Sequence, residues 1–105
     1  MESGAVRSAP LVDAPTVTVF VPAPLRRYCA DVPELSVSAS TMQHVLDTIE
    51  RTQPMLYRQV CDETGAVRRH LNLFVNDDNV RDLEGLRTPL RRGDMVTILP
   101  AVSGG

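Results

Sequence analysis

The feature that most constrains this 105-residue sequence is an apolar stripe, Met42, Val45, Leu46 and Ile49, with period-two segments both before and after it. The spacing i, i+3, i+4, i+7 places these four side chains on one face of a helix and turns Asp47, Glu50 and Arg51 toward water. Ser40 and Gln43 stand three apart and predict a capping box, the Ser hydroxyl meeting an orphan amide while the Gln reaches back. Pro54 limits this helix. Pro54 to Cys61 is expected to add a further turn or two, with Leu56 and Val60 inward. A helix with one apolar face needs a surface to cover it, and two strands do not supply enough.

The flanking segments supply more. Thr16 to Val21 alternates, placing Val17, Val19 and Val21 on one face and Thr18 with Phe20 on the other, until Pro22 and Pro24 stop it. Glu34 to Ser38 alternates again and is expected to pair with that strand across a long connection through Arg26, Arg27 and Pro33. After a turn at Thr64-Gly65, Leu71 to Asn76 sends Leu71, Leu73 and Val75 inward and Asn72, Phe74 and Asn76 outward. Asp77-Asp78-Asn79 reads as a turn, Val80-Arg81 as a brief pairing, and Asp82 to Pro89 as loop. Arg92-Gly93-Asp94 is a tight turn, with Gly93 at a positive φ, into a last strand. That strand, Met95 to Pro100, buries Val96 and Ile98 and leaves Thr97 and Leu99 on the opposite face.

Strand, strand, helix, strand, short strand, strand is the order of an α+β fold of the β-grasp (ubiquitin-like) type. The expectation is a mixed four- to five-stranded sheet with one main helix packed on one face. If the first and last strands are central neighbours, Phe20, Phe74 and Leu99 converge on the uncovered face. Three apolar groups together on one sheet face mark a docking surface for a partner. Phe20, Phe74, Thr97 and Leu99 are the predicted partner-binding residues.

Composition removes several classes of function. With 43% hydrophobic residues, a chain of this length holds one modest core and no second domain. A net charge of -2 offers no general attraction to nucleic acid or to an anionic membrane. Cys29 and Cys61 lack CxxC spacing and a neighbouring His pair, so no metal site is expected and both read as reduced thiols. No apolar run reaches membrane-spanning length, and the first residues lack a secretory pattern, which predicts a cytoplasmic protein. All eleven basic residues are arginine. His44 and His70 belong to no catalytic motif and read as surface residues; Asp77 and Asp78 read as turn chemistry. The expected organisation is a flexible leader over 1–16, one β-grasp domain over 17–100 and a flexible tail over 101–105.

The tail carries the chemistry. Gly104 and Gly105 follow an apolar strand almost directly. Without Cβ atoms they can enter a narrow channel, so that the reactive group would be the carboxylate of Gly105, with Gly104, Ser103 and Val102 as the arm that presents it. Leu-Phe-Val-Asn-Asp from Leu73, the Arg92-Gly93-Asp94 turn and Val-Thr-Ile-Leu-Pro-Ala-Val-Ser-Gly-Gly at the end resemble the ubiquitin-like bacterial sulfur-carrier proteins. That family includes the small subunit of molybdopterin synthase, the thiamine-pathway carrier and the cysteine-pathway carrier. Val-Asn-Asp, Val80-Arg81 and the run Val96 to Val102 resemble the cysteine-pathway members most. Ser103 stands where an alanine or threonine is common.

The resemblance implies a protein cosubstrate with no enzymatic residues and no bound cofactor. A ubiquitin-activating-type enzyme would adenylate Gly105 with ATP, and a persulfide or sulfide source would convert it to a thiocarboxylate. Implied partners are that adenylating and sulfurtransferase enzyme, a sulfur-accepting synthase (cysteine synthase, or a thiosugar or thiazole synthase) and a metalloprotease. Two other functions are compatible with the same residues: a ubiquitin-like modifier that forms isopeptide bonds, and an interaction module in which the diglycine is incidental.

Overall fold

The computed structural model describes residues 14–101. Among these residues five strands form one sheet: β1 (Thr16–Phe20), β2 (Glu34–Ser38), β3 (Leu71–Val75), β4 (Asp78–Asn79) and β5 (Met95–Pro100). Their order across the sheet is β2-β1-β5-β3-β4. β5 runs parallel to β1 and antiparallel to β3, while the β1–β2 and β3–β4 pairs are antiparallel hairpins. The last strand to be made is therefore the centre of the sheet, and the expected mixed sheet with adjacent first and last strands is observed.

Between the hairpins lie two consecutive helices, α1 (Met42–Thr52) and α2 (Pro54–Val60), broken at Gln53 ahead of Pro54. Proline at the first helical position needs no amide partner, so it ends one helix and opens the next at little cost. Met42, Val45, Leu46 and Ile49 of α1 and Leu56 and Val60 of α2 are buried. They pack on the inward residues Val17, Val19, Val37, Leu71, Leu73, Val75, Val96 and Ile98 in one core. Every residue that the period-two and period-3.6 patterns sent inward is in that cluster.

Local chemistry departs from expectation at two places. The helix is capped by Thr41, whose hydroxyl accepts from His44 N at 3.1 Å, and not by Ser40 with Gln43. Thr41 is the extended residue directly before Met42, and the bridge it makes with Pro89 holds it there. His44 Nδ1 in turn accepts from the backbone amide of Ser40 at 3.2 Å, while Gln43 donates along the helix to Asp47. The cap thus falls one residue later than the pattern predicts, with the return bond going to the amide of Ser40 and not of Thr41, and His44 is a half-buried structural group. The second correction concerns Val80-Arg81. Asn76 takes a left-handed φ of 55°, so the turn is Asn76-Asp77 and the brief pairing falls on Asp78–Asn79. Val80–Asp82 is a 3-10 turn.

Two turns meet where β5 begins. Asn76 donates from its side-chain amide to Asp94 Oδ1 at 3.1 Å and accepts from Met95 N at 3.1 Å. Asp94 Oδ2 accepts from Arg91 N at 2.8 Å, closing the tight turn in which Gly93 has a φ of 86°. The start of the central strand is held from both sides.

Candidate functional site

The alternation that buries Val96 and Ile98 turns Thr97 and Leu99 to the helix-free side of the sheet. Register then assembles a row across three strands: Phe20 of β1 lies opposite Thr97, and Thr97 lies opposite Phe74 of β3. Leu99, 39% exposed, stands one repeat further along β5 opposite Asn72. Phe20, Thr97 and Phe74 are each half-exposed, and neither phenylalanine belongs to the core cluster. The four predicted partner-binding residues are therefore brought together on one open face. Contiguous apolar groups on one sheet face carry more information than scattered single ones.

Two polar groups on this face were not singled out from sequence. The guanidinium of Arg26 lies over the Phe20 ring, 5.6 Å from its centroid, and Arg26 Nε donates to the Val21 carbonyl at 2.9 Å. The connection after β1 makes this contact by winding into a 3-10 helix, Ala23–Tyr28, and no local pattern announces that. Asn72 Oδ1 is buried with no hydrogen-bond partner among the described residues. Alternation did send Asn72 outward, yet its lack of a partner emerges only with the neighbouring strand in place.

β5 also aims the chain end. Beyond Pro100 the last backbone anchor among the described residues is Ala101 N, which donates to the His70 carbonyl at 2.6 Å. Val102, Ser103, Gly104 and Gly105, the predicted arm and reactive residue, lie outside the described residues, as do 1–13 of the predicted leader.

Among the described residues the titratable side chains weighed from sequence are not brought together. His44 is committed to the helix cap, His70 is exposed at the entrance to β3, and Asp77 and Asp78 are exposed in and after a turn. Among the described residues no three His, Cys, Asp or Glu side chains come together as metal ligands. Cys29 and Cys61 are free and buried. Burial pushes the Cys61 thiol up to about 11 against the opposing hydrogen bond of Tyr57, and it raises Cys29 as well. A protonated, enclosed thiol is a poor nucleophile. Cys61 lines a cavity of about 580 Å³ between α2 and the 61–68 segment, on different residues from the open sheet face.

Residues 16–105 match the ThiS family. The chain belongs to that family. It is 37% identical over 91 residues to the sulfur carrier protein CysO of Mycobacterium tuberculosis, an alignment that covers 85% of this chain and 98% of that protein. The crystal structure of M. tuberculosis CysO superposes with a TM-score of 0.75 at 36% identity, covering 82% of this chain and 99% of that one. A chain of the Amycolatopsis orientalis BexX/CysO complex gives 0.71 at 34% identity, with 85% and 99% covered. The small archaeal modifier protein 1 of Methanosarcina acetivorans gives 0.73 at 35% identity, with 87% and 97% covered. These neighbours bear out the β-grasp fold and the resemblance to ubiquitin-like sulfur carriers. Among the described residues no helix is long and apolar enough to cross a membrane.

Proposed function

We propose that this chain is a sulfur carrier serving cysteine biosynthesis or another sulfur-metabolite pathway, a protein cosubstrate loaded at the carboxylate of Gly105. The observation that carries this reading is the 37% identity to a sulfur carrier protein across nearly all of that protein's length. The open apolar face beside the end of a central strand agrees with it, because a carrier has to be held by other proteins while its end is elsewhere.

An α-carboxylate with a pKa of about 3.3 to 3.7 is ionised at neutral pH and resists nucleophilic attack. Activation solves this in two balanced steps. A carboxylate oxygen of Gly105 attacks the α-phosphorus of ATP and pyrophosphate leaves. Hydrosulfide then attacks the acyl carbon, AMP leaves with the bonding electron pair, and the tail ends in an anionic thiocarboxylate. ATP and the groups that bind it belong to an adenylating enzyme; this chain contributes the carboxylate, the arm and the docking face. Ala101 to Gly105 spans at most roughly 17 Å when extended, enough to enter an active site while the sheet face stays outside. The loaded carrier then meets a sulfur-accepting synthase, with cysteine synthase as the first candidate and a thiosugar or thiazole synthase as others. A metalloprotease would release a product left attached to the tail.

The intact mass of the untagged protein, measured after incubation with ATP, an adenylating enzyme and sulfide, tests the reading. The expected gain equals the exchange of one oxygen for sulfur, mapped to Gly105. Deleting Gly105 is expected to abolish the gain while leaving the melting temperature unchanged. No gain beside an adenylating enzyme that loads its own carrier overturns the proposal.

A second reading, a protein modifier forming isopeptide bonds, is favoured by the likeness to the small archaeal modifier protein 1. It uses the same adenylate and differs in the nucleophile that follows. Covalent ladders in cell extract, resolved to lysine branches ending in Gly105, would establish it.

A further inference from the structure

We propose that Arg26 is the polar anchor of the docking face, a pre-positioned guanidinium that takes a carboxylate of an acidic side chain on the adenylating enzyme. The proposal rests on the sulfur-carrier reading and names what that partner must present. Arg26 is half-buried and held at two points, its Nε donating to the Val21 carbonyl at 2.9 Å and its Cζ lying 5.6 Å from the Phe20 ring centroid. Among the described residues its side chain makes no other hydrogen bond. The paired terminal nitrogens are therefore left as a fork, the geometry that matches a carboxylate with two parallel N–H···O bonds.

Among the described residues no side chain occupies that fork. Phe20 continues into Thr97 and Phe74 across the sheet, and the one ionisable strand residue on this face is Glu34, opposite Phe20 and exposed. Glu34 makes no hydrogen bond to Arg26. The face is thus an apolar row with an ordered cation at one end, on a chain whose net charge is -2. A general attraction to acidic partners is missing, so the local charge works by position. An arginine already fixed by stacking loses little side-chain freedom when it binds, and arginines beside aromatic residues dominate many interfaces. A complementary partner face has an apolar centre and one Asp or Glu placed to meet the Arg26 fork at the edge of the row.

The test uses the full chain with an adenylating enzyme that loads it, and it reads binding by calorimetry over a range of salt concentrations beside sulfur loading by intact mass. Arg26→Met keeps the stem over Phe20 and removes the charge; it is expected to weaken binding by about 10-fold or more and to flatten the salt dependence. Arg26→Lys keeps the charge without the fork and is expected to recover the salt dependence but not the full affinity. If Arg26→Met does not fold, Arg26→Lys decides alone. Binding by either folded variant that equals the parent chain in affinity and salt slope, with the parent loaded normally, overturns the anchor and leaves the carrier reading standing. A parent chain that neither binds nor gains sulfur overturns the carrier reading and this proposal with it.

Discussion

The two faces of the sheet are built from the same strands and have opposite fates. On β5, Val96 and Ile98 are buried in the core, while Thr97 and Leu99, each one residue away, look outward on the helix-free side of the sheet. On β1, Val17 and Val19 lie in the core, while Phe20 sits under an arginine. Period two is therefore more than a device for making a core. It divides one strand between residues that hold the fold and residues left on the other face, and substitutions on the two faces are expected to fail in different assays.

The largest expected effect belongs to the closed face. Ile98→Ala leaves a cavity in the core and is expected to cost about 2 to 5 kcal/mol in urea unfolding, with binding reduced only as far as folded protein is lost. On the open face, Phe74→Ala is expected to weaken association with an adenylating enzyme by about 2 kcal/mol while moving the unfolding midpoint little. If Phe74→Ala instead costs as much stability as Ile98→Ala, the division between faces is broken. Smaller than both is the effect at the helix start, where Thr41→Ala removes the hydroxyl that accepts from His44 N and is expected to cost about 1 kcal/mol without changing binding.

The smallest effect near neutral pH comes from Cys61. Its thiol titrates at about 11 in the folded chain against an ordinary 9.0, because burial disfavours the thiolate. The unfolded chain consequently loses this proton first as the pH rises. Stability from this group is complete below about pH 9 and is lost between about 9 and about 11. Urea midpoints across that range should fall, and Cys61→Ala should flatten the fall. Iodoacetamide at pH 8 should leave the native thiol unlabelled, in contrast to the same protein in urea.

The sequence revealed different parts of the molecule unequally well. The strands at Thr16, Glu34, Leu71 and Met95 and the stripe from Met42 to Ile49 were readable because each is a local period set against one burial surface. The exact cap was not, since Ser40 and Thr41 are both competent and a bridge to Pro89, 48 positions away in sequence, chose between them. The turn before β4 depended on Asn76 accepting a left-handed φ while its side chain clamps Asp94, a partner from the turn into β5. Phe20, Phe74, Thr97 and Leu99 could each be sent outward by alternation, but their meeting depends on strand order. Arg26 gave no local sign at all, because its position over Phe20 is made by a 3-10 helix in a long connection.

What the sequence determined by itself is the set of inward and outward residues, since side-chain direction in a strand or helix repeats over a few neighbours and is paid out locally by burial. What only the tertiary structure decided is which of those residues meet: β5 slotted between β1 and β3, the row from Phe20 to Phe74 through Thr97, and the guanidinium at its end. Those contacts join segments tens of residues apart, and such pairings follow from the closing of the whole core.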